Sequence, residues 1–148
     1  MTFPKIKSSL CLTFVVMLFS VFALSTTAEA ATTLYQWRGE GVTAYQTKYF
    51  GEEGDIKVRG NGGTVSIKID QYSQNSNTTA NAKYTLLSVS NKVVGSSRVV
   101  VGDRGGSAKL PAATLTFTDV LPGDYMIQVI NNTNAGIVIQ GDVYFTAN

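Results

Sequence analysis

Glu52, Glu53 and Asp55 form the one tight acidic cluster in a 148-residue chain that has no histidine and a single cysteine, Cys11. Without histidine there is no imidazole for base chemistry. Cys11 stands in an apolar N-terminal run, so a thiol nucleophile is also excluded from the rest of the chain. No Ser-x-x-Lys occurs. Paired carboxylates are the remaining catalytic option, as in glycoside hydrolysis. Calcium is a second use for Glu52, Glu53 and Asp55, because it takes carboxylate and backbone oxygens. Their spacing fits no EF-hand loop, and Gly51 and Gly54 flank them as they would flank a solvated turn. The Gly60–Gly63 run lacks the following lysine and helix of a phosphate cradle. The expectation is a protein that is not an enzyme and has no cofactor, with calcium at Glu52, Glu53 and Asp55 as the alternative.

Aromatic residues offer a different chemistry. Tyr35, Trp37, Tyr45, Tyr49 and Phe50 crowd one stretch, and Thr43, Tyr45, Thr47 and Tyr49 would share a face if that stretch were one strand. An exposed row of rings can stack on sugars or pack against a partner protein, whereas the same rings turned inward are core. Tyr35, Trp37, Tyr45 and Tyr49 are therefore the candidate ligand-binding residues. The charges are scattered and of mixed sign, and the chain carries a net charge of +2. A nucleic-acid partner would require a concentrated basic patch, so none is expected.

The N-terminus sets the expected compartment. Lys5 and Lys7 precede an uncharged run from Ser8 to Ala28, and Ala28-Glu29-Ala30 has the small-residue spacing of a cleavage site. This is the pattern of a secretory signal over residues 1–30, with no stable membrane anchor afterwards. Cleavage after Ala30 would leave residues 31–148 as a single domain, free of cysteine and with a net charge of +1. An exported domain of this size without disulfides suits a bacterial host.

Those residues are written in short strands. Val65, Ile67 and Ile69 alternate with polar neighbours, as do Leu115 with Phe117, and Tyr125 with Ile127 and Val129. Period-two alternation marks an antiparallel sheet with one buried face. Eight or nine strands are expected, near Leu34–Arg38, Val42–Phe50, Asp55–Arg59, Thr64–Tyr72, Ala82–Val89, Lys92–Val101, Thr114–Thr118, Tyr125–Asn131 and Gly136–Phe145. A phase shift at Leu86-Leu87 points to a bulge or a strand buried on both sides. Gly60-Asn61-Gly62-Gly63 reads as a hairpin turn between two strands. The residues up to Phe50 could belong to the sandwich or form a pairing arm. The fold class is an all-β, antiparallel Greek-key sandwich of eight or nine strands, jelly-roll or immunoglobulin-like.

Leu121-Pro122-Gly123-Asp124-Tyr125 is the most specific local signal. Pro122 and Gly123 suit the central positions of a type II turn, and Tyr125 then opens a strand. A tyrosine there can bond to backbone a few residues upstream and lock a sandwich corner. With Thr114–Thr118 before it and Ile127-Gln128-Val129 after it, this run resembles the closing half of bacterial pre-peptidase C-terminal domains. The resemblance extends loosely over residues 55–145. It implies a small secreted sandwich that accompanies a protease and binds calcium or a matrix polymer, although no protease domain is present here.

The functional expectation is a secreted, non-enzymatic β-sandwich that binds a polymer or protein surface at the cell envelope or outside the cell, including the cell wall. Two alternatives remain: a secreted effector (antimicrobial, pore-forming or protease-inhibiting), and a matrix or fibre subunit.

Overall fold

The computed structural model describes residues 30–148, so the expected signal lies outside the described residues. Nine strands follow one another: β1 (Thr32–Val42), β2 (Thr47–Phe50), β3 (Ile56–Val58), β4 (Gly63–Ser73), β5 (Asn81–Ser88), β6 (Val93–Val101), β7 (Ala113–Val120), β8 (Gly123–Asn131) and β9 (Ile137–Ala147). They form two antiparallel sheets. Sheet A has the order β1-β9-β4-β7. Sheet B has the order β2-β8-β5-β6, with β3 also pairing β8. When β2 and β3 are counted as one interrupted strand, this is the eight-strand, double Greek-key order of a jelly roll. Apart from the β2–β3 break, the only connection among the described strands that stays within a sheet is β5–β6. An immunoglobulin-like arrangement keeps more consecutive strands together, so of the two expected forms the chain adopts the jelly roll.

Alternation decides which side chains meet. Val65, Ile67 and Ile69 of β4 point inward to Ile127 and Val129 of β8, to Ile137, Ile139 and Val143 of β9, and to Tyr84 and Leu86 of β5 in one buried cluster. Strand β5 carries the irregularity that the sequence implies. Its register against β6 shifts between Tyr84 and Leu86, and Tyr84, Thr85, Leu86 and Leu87 are all buried.

Three local expectations are corrected. The Gly60–Gly63 segment is not a hairpin turn, because β3 pairs with β8 in sheet B while β4 lies in sheet A. Alternation identified the buried faces of both strands but not their partners, and Asn61 does not take the positive φ that a type I′ turn needs there. Pro122-Gly123 is not a type II turn. Gly123 already belongs to β8 and is not left-handed, whereas Asp119 is, at φ 57°. The residues up to Phe50 are not a free arm, since β1 and β2 are integral strands of the two sheets.

The tyrosine corner itself forms. Tyr125 Oη donates to Leu121 O at 2.6 Å, and the phenol ring lies over the Gly123 backbone, where a Cβ would meet the hydroxyl at 3.2 Å. Leu121 and Pro122 are the exposed link into β8.

Candidate functional site

The four candidate aromatics do not assemble into one surface. Trp37 is only 5% exposed and stacks on Phe50 with ring centroids 4.9 Å apart. Its register partner on β9 is Gly141, whose missing side chain leaves the room that the indole fills. Tyr35 packs beside it against the core, 6.2 Å between centroids. Tyr45 is exposed but lies outside any strand, in the turn between β1 and β2, with φ 58°. Thr43, Tyr45, Thr47 and Tyr49 thus share no strand face, because that turn interrupts the expected strand Val42–Phe50. Tyr49 stands on the outer face of sheet B, where its hydroxyl accepts a 3.0 Å bond from Gln128 Nε2.

Glu52, Glu53 and Asp55 are exposed in the turn that links β2 to β3. Among the described residues no three acidic, histidine or cysteine side chains are grouped so as to hold a metal. The calcium expectation at these positions is therefore not supported by geometry.

The concave, chemically mixed surface lies elsewhere, on the outer face of sheet A. Lys68, Asp70 and Tyr72 project outward from β4, alternating with the buried Ile67, Ile69 and Gln71. Register then sets their neighbours: Lys68 is opposite Asp142, Asp70 opposite Gln140 and Tyr72 opposite Val138. Gln140 Nε2 donates to Asp70 Oδ2 at 2.7 Å. Asp142 Oδ1 accepts from Gln36 Nε2 at 2.8 Å and from Arg38 Nη2 at 2.6 Å, and Arg38 stands where β1 bulges away from β9. Tyr72 leaves about half its surface, 49%, to solvent.

The loop from β6 to β7 walls this face. Arg104 forms a two-way backbone bridge with Gln71: Gln71 N donates to Arg104 O at 3.0 Å, and Arg104 N donates to Gln71 O at 2.7 Å. The Asp103 carboxylate accepts from the backbone N–H groups of Ser73 and Ala80, each at 2.9 Å. Beneath, the fully buried Gln71 amide donates to Val100 O and Gly102 O, both at 3.0 Å, and its Oε1 accepts from Tyr84 Oη at 2.9 Å. Burial pushes the Tyr84 phenol far above its ordinary range, so it stays a neutral donor. Gly105 rests directly against the Asp70 carboxylate, where any side chain would collide.

The result is a cleft of about 500 Å³ between Tyr72, Asp70, Gln140 and the Arg104–Ala108 segment. A second hollow of about 210 Å³ adjoins it, lined by Arg38, Lys68 and Asp142, and the two share Asp70 and Gln140. Three cations (Arg38, Lys68, Arg104) face three carboxylates (Asp70, Asp103, Asp142), so the surface is neutral as a whole. It offers donors and acceptors side by side next to one half-open ring.

Alternation along β4 puts Lys68 and Asp70 on its outward face but says nothing of what they meet there. Their partners Gln140 and Asp142 lie about seventy residues away, and only the β4–β9 register unites them.

Comparison by sequence finds no matching family and no matching relative among curated proteins. Among solved structures the chain is similar to a carbohydrate binding module from Cellvibrio mixtus lichenase 5A in complex with cellotriose. The TM-score is 0.47 at 13% identity, covering 81% of this chain and 88% of that one. It is similar also to a xylan-binding domain from Paenibacillus barcinonensis Xyn10C, with a TM-score of 0.45 at 10% identity, covering 82% and 99%. The Yersinia pseudotuberculosis-derived mitogen gives a TM-score of 0.40 at 17% identity, covering 81% and 87%. At such scores the likeness is loose, and it is the strand order of the two sheets that identifies the fold.

Proposed function

We propose that this protein is an exported, non-catalytic binding protein whose outer sheet-A cleft holds a neutral, hydroxyl-rich polymer, a polysaccharide of the cell envelope or its surroundings. One observation carries this reading: the half-buried, hydrogen-bonded Asp70–Gln140 pair lines a neutral cleft beside the half-open Tyr72 ring, so that carboxylate and amide groups adjoin an aromatic plane. Sugar hydroxyls both donate and accept, which suits adjoining carboxylate and amide groups. The apolar face of a sugar ring suits an aromatic plane. Equal numbers of opposite charges give no net attraction to a polyanion. Export rests on the signal-like residues 1–30.

Pull-down of the purified protein on xylan, cellulose, chitin and peptidoglycan tests the reading. Wild type is expected to be retained on at least one, and Tyr72→Ala and Gln140→Ala to be released. Absence of wild-type retention on every polymer would overturn it.

A further inference from the structure

The outer face of sheet A does not end at the cleft. Tyr144 of β9 points to this same face, because its neighbours Val143 and Phe145 turn toward the core. It is half-buried, and its register partners are Ser66 on β4 and Thr33 on β1. From Ser66 to Tyr72 the outward positions of β4 are Ser66, Lys68, Asp70 and Tyr72. Each is matched on β9, by Tyr144, Asp142, Gln140 and Val138 respectively. Six residues of strand span about 20 Å at the usual rise per residue. The face is therefore a strip with a phenol ring at each end and two rows of charged and amide groups between.

We propose that Tyr144 is a distal binding subsite, and that the ligand is a linear neutral glycan lying along β4 and β9, held by a ring at both ends. This rests on the cleft reading and extends it. Tyr72 and the Arg104–Ala108 wall define one end. The Asp70–Gln140 and Lys68–Asp142 rows meet hydroxyls along the chain, and Tyr144 supplies the second stacking plane, flanked by the Ser66 and Thr33 hydroxyls. A branched or compact ligand could fill the cleft but could not reach both rings.

Calorimetric titration of the purified protein with unbranched xylo- and cello-oligosaccharides of two to six units, together with the same variants, tests this. In the series that binds, wild-type affinity is expected to climb with length until the chain spans both tyrosines and then to level off. Tyr144→Ala is expected to lose about tenfold on the six-unit ligand, the scale of one stacked ring, and to bind the two-unit ligand like wild type. Tyr144→Phe, which keeps the ring, is expected to retain wild-type affinity. Affinity independent of length, or equal binding of the longest ligand by wild type and Tyr144→Ala while Tyr72→Ala fails, overturns the distal subsite and leaves the cleft reading standing. Failure of wild type to bind either series overturns the linear-glycan proposal. The cleft reading falls with it only if the polymer pull-down is also blank. The wild-type length dependence decides the matter even if Tyr144→Ala does not fold.

Discussion

Trp37 and Tyr72 lie on the two strands that flank β9 in the same sheet, yet one is enclosed and the other half open. Trp37 faces inward across from Gly141, so its ring drops into the space a side chain would take and meets Phe50. Tyr72 faces outward across from Val138, beside a loop pinned to the edge of β4 by Asp103 and Arg104. Trp37, Phe50 and Tyr35 of the aromatic-rich stretch thus build core, while Tyr72 on a polar strand face lines the cleft. What separates the two outcomes is the residue across the ladder and the face the strand turns to it, not the density of rings along the chain.

Substitutions sharpen that contrast, and they rank by how much buried contact or bonding each one removes. Trp37→Ala is expected to cost about 3–5 kcal/mol in chemical denaturation, the usual loss for a buried aromatic. If it melts like wild type yet releases polymer, Trp37 belongs to the binding face and the contrast collapses. Tyr84→Phe comes next. It leaves Gln71 Oε1 buried without its donor, for about 1–3 kcal/mol. The same change also alters the response to alkali. Tyr84 keeps its proton in the fold, whereas the unfolded chain releases it above the ordinary phenol value of 10.0. The stability it contributes is complete below that pH and is lost as pH rises beyond it. Denaturation midpoints of wild type are expected to fall above pH 10, and those of Tyr84→Phe to fall less steeply, keeping the part due to Tyr125, whose phenol burial and Asp124 also push up. Tyr125→Phe, which removes the corner bond to Leu121, is expected to cost about 1 kcal/mol and to leave polymer binding unchanged. Tyr72→Ala is expected to shift stability by less than about 0.5 kcal/mol while abolishing retention on the polymer. An equal loss of stability and retention would place Tyr72 with Trp37.

Much of the fold was legible because alternation is a local property. Each of the nine described strands overlaps a run that alternation and turn residues mark, although of the expected strand Val42–Phe50 only Thr47–Phe50 forms β2, and the Leu86-Leu87 phase shift marks a true irregularity in β5. The Tyr125 corner was legible too, since its bond spans four residues. Partners were not. Gly60–Gly63 looked like a hairpin because nothing local says that β3 is taken by β8 instead. The cleft was hidden for the same reason. Asp70 and Gln140 are an ordinary polar pair until the register places them opposite each other. Gln71 was missed because an inward amide breaks the pattern that reveals a strand. Its purpose shows only when Val100, Gly102 and Tyr84 converge on it.

The place of β9 in sheet A bears on the order in which the molecule can be made. It is the last of the nine described strands, yet it lies between β1 and β4 and carries Gln140, Asp142 and Tyr144. Sheet A therefore has no continuous ladder, and the cleft lacks Gln140, until residues 137–147 have joined. Nearly every other connection also jumps between sheets, so the stabilising contacts close long loops, and such chains fold slowly, in milliseconds to seconds. Synthesis would thus deliver β1 to β8 before the native sandwich could close, and the cleft on sheet A would be among the last features to appear.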